Sequence, residues 1–118
     1  MKVTSLGWLG VRTANFLETA AFYRDVLGLE CLVDRPDDAR FRLADGTEVH
    51  VYGPSDEDHA FFGIGPVVGL VVDDFDAARA RMVAAGIAFV RSVQQDETMT
   101  WNHFVGPDGN VYELIGRR

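Results

Sequence analysis

Apolar positions fall along this chain in short runs, punctuated by glycine, proline and aspartate. Trp8 to Thr13 is apolar and β-branched and predicts a strand. Thr19 to Leu27 sets Ala20, Tyr23, Val26 and Leu27 at helical spacing, and Gly28 predicts the stop. Leu29 to Val33 predicts a second strand, and Arg35-Pro36-Asp37-Asp38 is turn chemistry. Arg40 to Leu43 and Glu48 to Tyr52 flank Asp45-Gly46, a strong hairpin signal. The order so far is β-α-β-β-β. A stretch from about Gly53 to Pro66 follows, rich in Pro, Gly and acidic residues, and reads as a polar, mobile linker. Phe61-Phe62 is its exception, read either as cover for a dimer seam or as local packing.

The same order then returns. Val67 to Val72 predicts a strand, Phe75 to Ala85 a helix ended by Gly86, and Ala88 to Val93 and Met99 to Val105 two strands. Asp108-Gly109 turns into a last strand, Val111 to Ile115. The residues themselves repeat at an offset of about 60 positions. Asp45 to Gly53 lines up with Asp108 to Gly116, Phe41 with Phe104, and Trp8-Leu9-Gly10-Val11 with Val67-Val68-Gly69-Leu70. Asn15 and Asp74, at equivalent helix starts, are both expected to serve as N-caps. The chain is therefore one domain of two modules, residues 1–53 and 67–118, joined by linker 54–66. The repeat makes Trp8 equivalent to Val67, His50 to Glu113, Arg40 to His103 and Asp38 to Trp101.

Composition narrows the function. At 47% hydrophobic and 25% charged the chain is an ordinary globular protein. The net charge of -7 and the lack of clustered Lys and Arg exclude a phosphate-backbone surface, so no nucleic-acid partner is expected. An acidic surface tolerates cationic ligands. No stretch approaches the roughly 20 apolar residues of a membrane span, and the first residues lack a continuous apolar h-region. No membrane partner and a cytoplasmic location are the expectation. Cys31 is the single cysteine, so no internal disulfide forms; in its apolar run it reads as core filler.

Phe22-Tyr23-Arg24-Asp25-Val26-Leu27-Gly28-Leu29, then Val71-Val72-Asp73-Asp74, then Gly86-Ile87, then Phe104 to Leu114 resemble the vicinal oxygen chelate superfamily. That group includes glyoxalase I, extradiol dioxygenases, fosfomycin-resistance enzymes and bleomycin-resistance proteins. The resemblance implies an α+β fold: two tandem β-α-β-β-β modules forming a curved mixed sheet around a cavity. It also implies a homodimer. Metal-dependent members place ligands at four positions, which here are Trp8, His50, Val67 and Glu113. His50 and Glu113 can bind a metal. Trp8 and Val67 cannot, because an indole nitrogen only donates and valine has no ligand atom.

Two readings stay open. In one, no metal and no cofactor is bound, and the protein is a small-molecule binding protein of the bleomycin-resistance type. An aromatic or cationic ligand would lie between Trp8 and Trp101, with Arg12, His50, His103 and Glu113 as polar contacts. Arg12 shares the strand face of Trp8 and is suited to a carboxylate or phosphate. In the other, His50 and Glu113, completed by His103 or water, hold a metal for a glyoxalase-type lyase or ring-cleaving dioxygenase. His59, in the linker, is expected to be solvated.

Overall fold

The computed structural model describes residues 1–63 and 65–118. The fold is α+β, and the chain forms two compact units. One holds Trp8–Pro66 and carries the first repeat; the other holds Met1–Gly7 with Val67–Arg118 and carries the second.

In the first-repeat unit the elements are β1 (Val3–Arg12, from Trp8 onward), α1 (Phe16–Ala21), β2 (Glu30–Arg35), β3 (Asp38–Arg42) and β4 (Glu48–Tyr52). Strand β1 pairs parallel with β4, with Gly10 opposite His50. Strands β4, β3 and β2 then pair antiparallel. Parallel neighbours need a crossover connection, and α1 lies in it. Helix α1 does not run on to Leu27 as a regular helix. Residues Phe22–Val26 form a π-helical turn, in which Leu27 N donates to Phe22 O, five residues back, at 3.0 Å. Gly28 then takes φ +67, which an L side chain rarely adopts. Phe16 and Ala20 of α1 pack on Ala39, Phe41 and Val51, with Tyr23 and Leu29 against them. These sheet residues share one face, because side chains alternate along a strand. Asp38, Arg40, Glu48, His50 and Tyr52 are thereby sent to the other.

The second-repeat unit contains β5 (Val67–Val72), α2 (Phe75–Ala84), β6 (Phe89–Gln95), β7 (Met99–Val105) and β8 (Val111–Arg117), with the N-terminal half of β1 beside β5. Thr4 Oγ1 donates to Val71 O at 3.2 Å, and Lys2 exchanges hydrogen bonds with Asp73. Strands β5 and β8 pair parallel, with Gly69 opposite Glu113. Strands β8, β7 and β6 pair antiparallel. Val72, Ala78, Phe104 and Leu114 form the core under α2. The registers reproduce the sequence repeat: Gly10–His50 becomes Gly69–Glu113, and Arg40–His50 becomes His103–Glu113. Among the described residues no helix is long and apolar enough to cross a membrane.

Several expectations are corrected. Strand β1 starts at Val3, five residues before Trp8, because its first half is held by the second-repeat unit rather than by its own module. Cys31 is exposed, not core filler: among the described strands β2 pairs with β3 alone, has a register shift between Cys31 and Val33, and turns most of its residues to solvent. The two helix starts also differ. The Asp74 side chain accepts from Ala77 N at 3.1 Å, whereas the Asn15 side chain makes no capping bond and its backbone N–H is taken by Thr13 Oγ1.

This asymmetry has a measurable consequence. Asp74→Ala is expected to lower stability by about 1 kcal/mol, the usual worth of an N-cap. Asn15→Ala should change it by less than about 0.5 kcal/mol. Urea unfolding of both variants checks this; equal losses would contradict the capping geometry.

Candidate functional site

The face of the first-repeat sheet opposite α1 is built on β4. Glu48, His50 and Tyr52 sit at alternate positions, so all three project the same way. They form a chain of hydrogen bonds. His50 Nε2 lies 2.8 Å from Glu48 Oε1, and His50 Nδ1 lies 2.8 Å from the Tyr52 hydroxyl. One neutral tautomer satisfies both contacts: Nε2–H donates to Glu48 while Nδ1 accepts from Tyr52. Burial pushes the His50 pKa below its ordinary 6.5; the Glu48 contact opposes this and the Arg40 charge assists it. Arg40, the cross-strand partner of His50, makes a two-pronged contact with Asp38 at 3.0 and 3.1 Å.

Trp8 reaches this row from β1. Its indole lies across Gly10, where a Cβ would run into the ring. It meets the His50 ring edge-on at 5.4 Å and 84°. Glycine at position 10 is thus what lets Trp8 lie over the strand and touch the residue opposite Gly10. Arg12, on the same face, donates from Nη2 to the backbone oxygens of Pro54 at 3.1 Å and Asp56 at 3.4 Å. It therefore ties down the segment after β4.

That segment is ordered against the sheet. His59 is not solvated as expected: its ring stacks on Tyr52 at 3.6 Å and 10°, and its Nδ1 lies 3.0 and 3.1 Å from the two Asp56 carboxylate oxygens. Phe62 is buried, edge-on to Trp8 at 5.9 Å and tilted on His59 at 5.2 Å. Asp37 accepts from both the backbone N–H and the hydroxyl of Ser55.

In the second-repeat unit, His103 Nε2 lies 2.9 Å from Glu113 Oε2, across the β7–β8 pair, and both residues are buried. Trp101, two positions before His103 on the same strand face, is half-buried. A buried imidazole–carboxylate pair can hold and pass a proton. Of the residues singled out in the sequence, Trp8, Arg12 and His50 share one face of the first-repeat unit, and Trp101, His103 and Glu113 share one face of the second. Glu48, Tyr52 and Asp56 were not singled out, and His59 was expected only to be solvated. The period-two spacing Glu48-x-His50-x-Tyr52 carried the signal for the first two; Asp56 and His59 had none, because loop contacts leave no periodicity.

A family model described as Glyoxalase/Bleomycin resistance protein/Dioxygenase superfamily matches residues 5–114. The chain belongs to this superfamily. Among solved structures, it resembles the Mn(II)-bound glyoxalase from Novosphingobium aromaticivorans at 26% identity and TM-score 0.78, covering 98% of this chain but 39% of that one. It resembles the methylmalonyl-CoA epimerase from Mycobacterium tuberculosis at 20% identity and TM-score 0.71, covering 98% of this chain and 89% of that one. A superfamily member from Vibrio splendidus 12B01 matches at 22% identity and TM-score 0.69, covering 95% and 99%. The last two likenesses concern the fold alone. No curated protein matches the chain.

The donor set does not fit the divalent metal that the superfamily implies. Trp8 offers only an N–H donor, and Val67 is an aliphatic side chain, fully buried. Both His50 nitrogens are engaged on its own strand, and Glu113 is engaged by His103. Among the described residues no three His, Cys, Asp or Glu side chains gather closely enough to hold an ion.

Two outcomes follow from this geometry. Because His50 has a lowered pKa when folded, the unfolded chain binds more protons in the window just below pH 6.5. Stability from this group is complete above pH 6.5 and is lost as pH falls from there through the folded pKa. Thermal unfolding from pH 7.5 downward should show this decline, and His50→Gln should flatten it. Asp37, Asp45, Asp96 and Asp108, all held below 3.8, act only at more acid pH. Gly10→Ala should push Trp8 off His50, costing about 1–3 kcal/mol by overpacking and shifting Trp8 emission in a Trp101→Phe background. Unchanged emission would contradict the packing.

Proposed function

We propose that this chain is a metal-independent small-molecule binding protein of the bleomycin-resistance type, holding an aromatic or cationic ligand. The observation that carries the reading is the state of His50. Both ring nitrogens are committed to Glu48 and Tyr52, and its ring is met edge-on by Trp8. A histidine fixed in this way is a wall of an aromatic, polar surface rather than a free metal ligand.

The first-repeat face holds the Trp8 indole and the His50 imidazole, both largely covered, beside the half-exposed Glu48 carboxylate, in a chain of net charge -7. This chemistry favours a planar cation, because the aromatic face attracts positive charge and the carboxylate completes it. The second-repeat face offers Trp101 and the His103–Glu113 pair, which gives a ligand an aromatic surface and a polar anchor. The likeness to a Mn(II)-bound glyoxalase supports the competing metal-dependent lyase reading, and the donor set argues against it.

The proposal extends to a homodimer. Leu17, Phe22, Val26 and Leu27 expose large apolar side chains on and just after α1, as do Val3 and Leu6 on β1. Exposed apolar surface of this kind marks interaction sites, and sedimentation equilibrium distinguishes monomer from dimer.

The deciding experiment pairs elemental analysis with fluorescence. Protein grown with added iron, manganese, nickel and zinc is expected to carry no stoichiometric metal. Cationic aromatic compounds are expected to quench its tryptophan emission saturably. Trp8→Phe should bind about 2- to 30-fold more weakly, which corresponds to about 0.5–2 kcal/mol of cation–π attraction. About one ion per chain, lost in Glu113→Ala, would overturn the reading in favour of a metal-dependent enzyme.

A further inference from the structure

The Tyr52–His59 stack differs from the other described ring contacts around it. His50 and Phe62 meet Tyr52 at 84° and 62°, and His50 and Phe62 meet Trp8 at the same two angles. These are edge contacts of ordinary aromatic packing. Among these described contacts His59 is the ring that lies flat on Tyr52, at 3.6 Å and 10°. In that position it presents Nδ1 to both oxygens of Asp56. A planar ring with an N–H donor thus lies between an aromatic face and a carboxylate, as a bound heteroaromatic ligand would.

We propose that the Tyr52 ring and the Asp56 carboxylate form a subsite for a planar heteroaromatic cation with N–H donors, and that His59 is its built-in occupant. The subsite is anchored without the His59 ring, and the His59 backbone N–H donates to Asp56 Oδ1 at 3.0 Å. The Tyr52 hydroxyl is held by His50 Nδ1 at 2.8 Å. The Asp56 backbone is held at both ends: its N–H donates to Gly53 O at 3.1 Å, and its carbonyl accepts from Arg12 Nη2 at 3.4 Å. His59, by contrast, sits in a segment without helix or strand, and its side chain is 23% exposed. Partly exposed side chains change rotamer readily. When the His59 ring rotates off Tyr52, Phe62 stays packed on Trp8 and Tyr52, and the Tyr52 face and the Asp56 carboxylate are left as a ready-made cleft.

His59 therefore competes with any ligand for this position. Apparent affinity falls in proportion to the fraction of molecules in which the position is open. This deepens the ligand-binding reading above and rests on it. It names the ligand class, a flat ring with an amidine-like edge that can give two hydrogen bonds to one carboxylate.

The probe is 2-aminobenzimidazole, a flat cation with that edge, titrated by calorimetry. His59→Ala is expected to bind it about tenfold more tightly than wild type, as removal of an occupant filling the site some nine-tenths of the time predicts. Adding Tyr52→Leu should abolish the gain, while Tyr52→Phe, which keeps the ring face, should preserve it. Equal binding by wild type and His59→Ala, or no binding by either, overturns the proposal.

A second arm uses the wild-type protein and stands even where the variant does not fold. The His59 ring protons, shifted upfield over Tyr52, should move downfield on saturation. Binding that leaves them in place overturns the subsite. Tryptophan quenching in that same titration would then leave the broader ligand-binding reading intact, so the two failures are distinguishable.

Discussion

The parallel pairing of the first and last strands of each repeat is the constraint on which the rest depends. Strand β1 runs beside β4, and β5 beside β8. Neighbouring parallel strands cannot be joined by a tight turn, so a crossover must intervene. In each repeat that crossover carries a helix and two antiparallel strands. The helix covers one face of its own sheet and draws Phe41 or Phe104 into a core. Alternation along the strand then leaves the polar side chains on the opposite face. The candidate chemistry lies away from the helix for that reason, and the same backbone arrangement produces it twice.

Within that common frame the two repeats diverge in charge. The register sets Arg40 beside His50 in one copy and His103 beside Glu113 in the other. A buried ionisable group must find a partner or lose its charge, and each copy does so differently. Glu113 is met across the strand pair by His103. His50 faces a cation across the pair, so Arg40 turns to Asp38 while His50 is held along its own strand by Glu48 and Tyr52. The two copies offer surfaces of different polarity, and in each the imidazole is paired with a carboxylate.

The segment after β4 shows how tertiary contacts rewrite a composition signal. Its Pro, Gly and acidic residues read as a polar linker. In the structure Arg12 holds its backbone, Asp37 holds Ser55, and His59 and Phe62 cover Tyr52 and Trp8. The aromatic floor of the first-repeat face is buried partly by the chain's own loop. Polar composition says only that a segment can be solvated; specific partners elsewhere in the chain decide whether it is.

The sequence by itself determined the α+β class, the duplication, the strand and helix order and the equivalence of His50 with Glu113. The element order rests on local periodicity and turn residues, the duplication and the His50–Glu113 equivalence on the repeat of the residues themselves, and the α+β class on that order together with the family resemblance. Even Glu48 and Tyr52, which were not singled out, were implied by their two-residue spacing from His50. Only the tertiary structure decided which partner each polar side chain takes. It joined His103 to Glu113, laid Trp8 over Gly10, exposed Cys31 on its strand and placed His59 on Tyr52. It also gave the first half of β1 to the second-repeat unit. These contacts depend on strand register, on which way a ring turns over its sheet, or on irregular segments, and neither periodicity nor spacing encodes which groups then meet. They are fixed only when strand register and burial together force each polar group to find its nearest complement.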